Sequence, residues 1–127
     1  MKSDRKSVGT EDVVDFYAES WIGGDSTAVR HLLTPDAELE WNLDLALDEE
    51  ELIQTLSRIA AFADGVTVVA KACNDDGATL VYDCVAPFGT ARMAEFLTVA
   101  GGRITEVRQV YDPLAINRYF PGLVDDY

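Results

Sequence analysis

The chain has 127 residues, 48% of them hydrophobic, and a formal net charge of −13. That length suits one domain with a single sizeable core, and that hydrophobic content excludes a chain disordered as a whole. The acidic balance argues against nucleic-acid phosphates and anionic membrane surfaces as partners, because both select basic patches.

The opening "MKSDRKSVGTEDVV" has no apolar stretch resembling a signal-peptide core. No run approaches the roughly 20 apolar residues of a membrane helix, so a cytoplasmic protein is expected. Residues 1–9 read as a loose arm, and 10–113 as one domain. The tail 114–127 contains Tyr119, Phe120 and Leu123, apolar enough to dock on the body.

Thr10 is a plausible N-cap for "EDVVDFYAESWI", with Glu11 and Asp12 in the first turn where the helix dipole favours acids. Val13, Val14, Tyr17, Ala18 and Trp21 share one face of that helix. Gly23-Gly24 stops it, and Asp25 can cap a second, short helix reaching Leu33. Pro35-Asp36 then turns into "AELEWNL", a strand with Leu39, Trp41 and Leu43 on one side. Asp48 and Glu51 have capping-box spacing ahead of a third helix. Its apolar stripe is Leu52, Leu56, Ile59, Ala60 and Ala63, and Gly65 ends it.

Four strand-like runs follow, "VTVVAKAC", "ATLVYDCVA", "ARMAEFLTVA" and "RITEVRQVYD". Turn clusters at 74–77, 87–89 and 101–102 separate them, and loops this short make neighbours antiparallel. The fold class is therefore α+β, three helices with one strand among them and then a four-stranded meander. Cys73 and Cys84 would not face each other across the first hairpin and lack metal-ligand spacing, so free thiols are expected.

Within the third run, alternation places Met93, Glu95, Leu97 and Val99 on one face. A carboxylate in that row costs several kcal/mol if buried ionised without a partner. Two hairpin registers are open. A two-residue turn at Gly101-Gly102 sets Arg108 opposite Glu95, as an ion pair. A three-residue loop sets Gln109 there, with Thr105, Val107, Gln109 and Tyr111 on the inner face and Glu106 and Arg108 outside. The second leaves fewer charges inside and is favoured on desolvation grounds.

The order helix–helix–strand–helix–meander resembles the nuclear-transport-factor-2-like superfamily. The branch it resembles most holds the SnoaL-like polyketide cyclases and ketosteroid isomerase. The stretches "VVDFYAESWIGGDSTAVRHLLTPDAELEW" and "EFLTVAGGRITEVRQVYDP" carry the likeness, which spans nearly all of 11–113. It implies a cone-shaped roll, a curved, mainly antiparallel sheet closed by three helices (also called cystatin-like) around an apolar pocket. A homodimer through the outer face of the sheet is frequent there. That would account for strands apolar on both faces, such as "VTVVA".

The resemblance implies the isomerase's constellation, a carboxylate base with a tyrosine and a protonated carboxylic acid. Tyr17 matches the tyrosine, and a buried phenol of this kind equally serves as core. Glu95 matches the acid on its strand, where desolvation would raise its pKa towards the range useful for general acid–base work. The base is missing, since Trp41 occupies its position and an indole cannot abstract a proton. Trp41 suits stacking on a flat ligand or packing in the core. The pocket expected from the likeness is lined by Trp21, Trp41, Tyr82, Leu97, Gln109 and Tyr111.

The reading that follows is a cofactor-independent cyclase- or isomerase-like protein for a small, hydrophobic, polyketide- or steroid-like substrate, with Glu95 as acid/base and Tyr17 as carbonyl donor. The alternative is a non-catalytic ligand-binding or dimerisation module. His31 lies off the apolar face of its helix and reads as surface, and one histidine with two separated cysteines gives no support for a metal site.

Overall fold

Alternating and 3.6-period apolar patterns resolve into two α-helices, a 3-10 helix and one six-stranded sheet in the computed structural model, which describes residues 9–41, 45–87, 89–112 and 114. The expected docking of Tyr119, Phe120 and Leu123, the placement of Leu43 and the arm before Gly9 lie outside the described residues.

Helix α1 is Thr10–Ile22, the 3-10 helix Ser26–Leu32 and α2 Glu49–Phe62. The strands are β1 Leu33–Trp41, β2 Leu45–Leu47, β3 Gly65–Asn74, β4 Gly77–Ala86, β5 Gly89–Ala100 and β6 Arg103–Tyr111. The sheet order is β2-β1-β6-β5-β4-β3. Every neighbouring pair is antiparallel except β1 and β6, which run parallel, so the open, curved sheet is mixed. Between them the helices cover its inner face, as the α+β roll requires.

Local chemistry accounts for most boundaries. Asp48 accepts from the Glu51 backbone N–H at 2.8 Å and Glu51 accepts from the Asp48 N–H at 2.9 Å, a complete capping box. Leu52, Ile53, Leu56 and Ile59 are the buried stripe of α2. On α1 the buried face is Val13, Val14, Tyr17, Ala18, Ser20 and Trp21, which matches the expected one with Ser20 added.

Several boundaries differ from expectation. Gly9, not Thr10, caps α1, and the freed Thr10 hydroxyl donates to the Asp75 carbonyl at the β3–β4 turn, 2.8 Å away. Asp25 precedes the 3-10 helix but its carboxylate accepts from the Thr27 hydroxyl instead of capping backbone. Pro35 and Asp36 make no turn; they sit in β1, where the ladder with β6 is irregular between Leu33 and Glu38. Proline lacks the N–H a ladder needs, so an interruption there is its ordinary consequence in a strand. The helix α2 ends at Phe62, and Gly65 opens β3 instead of closing the helix. The short β2, unforeseen in sequence, adds an edge beside β1.

The β5–β6 hairpin settles the register by a route neither simple ladder contained. Its turn has two residues, Gly101 and Gly102, with φ of 61° and 79°, the left-handed pair such a turn requires. A regular ladder from there would put Arg108 opposite Glu95. A bulge intervenes: Val99 pairs with Ile104 and Thr98 with Glu106, leaving Thr105 unpaired. Thus Gln109 opposes Glu95 and Arg108 opposes Phe96 on the outer face. Ile104, fully buried, takes the inward place expected of Thr105, whose hydroxyl donates to the Thr98 carbonyl instead.

Replacing Asp48 by alanine removes one half of the capping box, and should cost about 1 kcal/mol of stability. Chemical denaturation should show this as a lower midpoint with an unchanged slope.

Candidate functional site

Strand β5 presents Met93, Glu95, Leu97 and Val99 inward, and all four are buried. Glu95 has no exposed surface, and three side chains from three elements reach it. Tyr17 of α1 donates its hydroxyl to Oε2 at 2.7 Å. Tyr82 of β4 donates to Oε1 at 2.7 Å. Gln109, directly across the β5–β6 ladder, donates Nε2–H to Oε2 at 2.6 Å. All three donors are neutral side chains, two phenols and an amide.

The position of each donor follows from the fold. Tyr17 lies one turn after Val13 and Val14 on the buried face of α1, so its phenol crosses the core to the sheet. Tyr82 shares the inward parity of Leu80 and Cys84 on β4, with Leu80 paired to Glu95 and Tyr82 to Met93. Gln109 is brought in by the Thr105 bulge.

Electrostatics within the cluster oppose one another. Burial raises the Glu95 carboxyl above its ordinary range, while the hydrogen bonds from Tyr17, Gln109 and Tyr82 pull it back in part. Burial and the neighbouring carboxylate push both phenols well above the usual tyrosine value. The Trp21 indole, near the Tyr82 hydroxyl but without bonding geometry, acts weakly the other way. Cys84, on the same inner face of β4, is driven up to about 12 by burial and then by Glu95. At neutral pH the tyrosines and the thiol therefore keep their protons, and Glu95 is the group in the cluster whose state can change.

Two polar atoms at the edge of this cluster have no hydrogen-bond partner among the described residues, Trp21 Nε1 and Gln109 Oε1. Both belong to fully buried side chains. Trp21 meets the Tyr82 ring edge-on, with centroids 5.1 Å apart.

A second aromatic pair closes the neighbouring stretch of the core. The Trp41 and Tyr111 rings meet edge-on with centroids 4.9 Å apart, and the Trp41 indole N–H donates to the Tyr111 hydroxyl. Since β1 pairs Trp41 with Gln109, and β6 pairs Tyr111 with Met93, this pair adjoins the Glu95 cluster along the sheet. Leu97, the last of the residues expected to line a pocket, is buried opposite Val107.

The structure thus gathers Tyr17, Tyr82, Glu95, Gln109 and Trp21, with Trp41 and Tyr111 alongside. Arg108 takes no part: it is outward, at 3.2 Å from both Glu40 and Glu106. Arg92, also outward, pairs with Asp83 at 2.6 Å. What sequence reasoning missed is the role of Tyr82 as a donor to the carboxyl. Its signal was available in "ATLVYDCVA", where Tyr82 has inward parity two residues from the partner of Glu95.

His31 is exposed, Cys73 and Cys84 are free thiols on strands that pair them with other residues, and Cys73 is exposed. Among the described residues no three His, Cys, Asp or Glu side chains come together in a manner that could hold a metal ion. Among them, too, no helix is long and apolar enough to cross a membrane.

No family model matches the sequence, and no curated protein matches it. Solved structures do. A protein from Kribbella flavida superposes with a TM-score of 0.74 and 26% identity, over 89% of this chain and 94% of its own. A putative SnoaL-like polyketide cyclase from Jannaschia sp. CCS1 gives 0.65 and 19%, over 88% and 90%. A steroid delta-isomerase from Pseudomonas aeruginosa gives 0.70 and 11%, over 86% and 83%. The chain has the nuclear-transport-factor-2-like fold. Identities at this level establish a shared nuclear-transport-factor-2-like architecture, with both SnoaL-like and ketosteroid-isomerase-like proteins among the neighbours, and leave the chemistry to the site itself.

Because the native Glu95 pKa is raised, the folded state holds a proton that the unfolded chain has already lost across the window above the ordinary glutamate value. Stability contributed by Glu95 therefore falls as pH rises through that window. Glu95→Gln lacks the loss, so its melting temperature relative to wild type should move in favour of the variant as pH rises above the ordinary glutamate range. A Glu95 paired with a cation would give the opposite trend in the same melts.

Proposed function

We propose that this protein binds a small, hydrophobic, carbonyl-bearing molecule inside the roll and moves a proton on it, as a cofactor-independent cyclase- or isomerase-like enzyme. One observation carries the reading: Glu95 is fully buried, has three neutral donors and has no cation among them. Such a carboxyl costs stability, and a well-packed apolar residue would be cheaper. It also sits where its affinity for a proton is raised by burial, as general acid–base chemistry near neutral pH requires.

The roles divide by chemistry. Glu95 takes and returns the proton. Tyr17 and Tyr82, held fully protonated, are the phenols able to donate to a carbonyl oxygen as charge develops on it. Trp21, Trp41, Leu97, Gln109 and Tyr111 shape the surroundings, and the aromatic rings suit a flat ligand. A polyketide- or steroid-like substrate is the class favoured by the likeness to the putative SnoaL-like polyketide cyclase and the steroid delta-isomerase.

A second reading, a non-catalytic ligand-binding or dimerisation module, is favoured by a different observation. Both phenols are already committed to Glu95, so a substrate carbonyl must displace one of them to gain its bond. The outer face adds support for self-association, in keeping with a homodimer. Ala70, Val81, Ala94 and Val110 form a continuous apolar row across β3, β4, β5 and β6, with Phe96 44% exposed beside it.

A thermal-shift screen against steroid-like and aromatic polyketide-like compounds should reveal saturable stabilisation that changes in Glu95→Gln and in Tyr17→Phe. Turnover of a hit by wild type and its loss, by about 100-fold or more, in Glu95→Gln is the enzymatic outcome. Binding without turnover selects the module. Light scattering should find a dimer that Phe96→Glu converts to monomer, and a monomeric wild type sinks the self-association proposal.

A further inference from the structure

The orphaned oxygen of Gln109 has a specific origin. A carboxylate only accepts hydrogen bonds, so a primary amide beside an ionised Glu95 must turn its Nε2–H toward it, as Gln109 does at 2.6 Å. The other end of the amide, Oε1, is then left without a partner among the described residues, in a fully buried side chain. A buried acceptor left unmade is costly, so this end of the site calls for a group that donates. If Glu95 holds a proton on Oε2, the preference reverses. The carboxyl now donates, the amide is best turned by half a rotation with Oε1 facing Glu95, and the orphaned end becomes an N–H that calls for an acceptor. The two amide orientations fill nearly the same volume, so packing does not choose between them.

We propose that Gln109 reads where the proton sits at Glu95 and turns its amide accordingly, so that the site favours a hydrogen-bond donor when Glu95 is a carboxylate and an acceptor when Glu95 is an acid. This rests on the reading above that a small carbonyl compound reaches Glu95. It narrows that compound to a neutral, enolisable one, able to present a hydroxyl in one form and an acceptor oxygen in the other. Trp21 Nε1, the second orphan of the cluster, is a fixed donor and adds a standing preference for an oxygen.

The proton balance supports the assignment. In the forward step the C–H bond beside the carbonyl breaks, the proton joins the Glu95 carboxyl, and the electron pair moves onto the carbonyl oxygen as an enolate. The ligand has then become a stronger acceptor at the moment when Glu95 has become a donor. A turned Gln109 accepts from Glu95 and offers its N–H to the enolate side. Return of the proton to the ligand oxygen leaves an enol beside a Glu95 carboxylate, and the enol hydroxyl then donates to the Gln109 oxygen that the carboxylate turns towards it. Gln109 is thus a positioning residue whose orientation follows the chemistry.

Among the described residues no other titratable group competes for this role. The groups facing Glu95 are Tyr17 from α1, Tyr82 and Cys84 from β4 and the neutral Gln109 from β6, and the first three hold their protons throughout the acid-to-neutral range. No charged residue is among its hydrogen-bond partners.

The test uses two probes of similar shape, 2-naphthol, which donates and accepts, and 2-methoxynaphthalene, which only accepts. Their affinities are measured by calorimetry across the titration of Glu95, in wild type, Glu95→Gln and Gln109→Leu. In wild type the naphthol-to-ether affinity ratio should rise about tenfold with pH, the worth of one satisfied buried acceptor. The rise should vanish in both variants. A flat ratio in wild type, or a rise that persists in Gln109→Leu, overturns the role of Gln109 while leaving a ligand site at Glu95. Failure of both probes to bind at any pH overturns the site reading itself and this inference with it. If Gln109→Leu does not fold, the wild-type protein suffices. The Gln109 side-chain amide resonances should shift in step with the Glu95 titration, and resonances that stay fixed overturn the proposal.

Discussion

A single carboxyl group with no exposed surface constrains the rest of this molecule. Burying Glu95 without a cation demands donors, and donors that are neutral cannot be supplied by the charged surface of so acidic a chain. They come instead from three separate elements, a phenol on α1, a phenol on β4 and an amide on β6. The helix must therefore lie across the sheet at one height, and the β5–β6 hairpin must have one register. Loss of any of these placements leaves a buried charge with too few partners, so the cluster works as a lock on the alignment of helix and sheet as well as a candidate reaction centre.

The bulge at Thr105 is the device that makes this compatible with a tight turn. Gly101 and Gly102 close the hairpin in the shortest way, which by itself would direct Arg108 inward. One skipped residue restores Gln109 to the inner face and sends Arg108 out to Glu40 and Glu106. The charges on β1 and β6 then form a network in solvent, where an ion pair costs little, and among the described residues the interior keeps one ionisable carboxyl. Desolvation chose the register, and the bulge supplied the missing residue of slack.

Much of this was legible in the sequence because it depends on periodicity. The inward face of α1, the capping box of Asp48 and Glu51, the alternation of β5 and the pairing of Gln109 with Glu95 all follow from spacing and from the cost of burying charge. The reason given for that last pairing, a three-residue loop, was not the mechanism, because a bulge leaves no local signature in "RITEVRQVY". Pro35-Asp36 reads as a turn on composition, but pairing with β6 overrides local preference and keeps it in a strand. The three-residue β2 is too short to show a period at all. At the site, Tyr82 could be placed on the inner face by parity, whereas its bond to Glu95 depends on how two strands stagger, which only the assembled sheet determines.

The parallel pairing of β1 with β6 has a consequence for how this chain is made. Leu39 finds its neighbour in Val107 and Trp41 in Gln109, and Tyr17 finds Glu95, so each early segment waits for a late one. Contacts this distant along the chain place the fold towards the slow end for its size, since loop closure precedes any gain from the contacts. During synthesis, α1 and β1 leave the ribosome long before the strands that will hold them. The edge of β1 that pairs with β6 stays open until β6 emerges, and the sheet is joined from β2 to β3 only when this last of the described strands arrives.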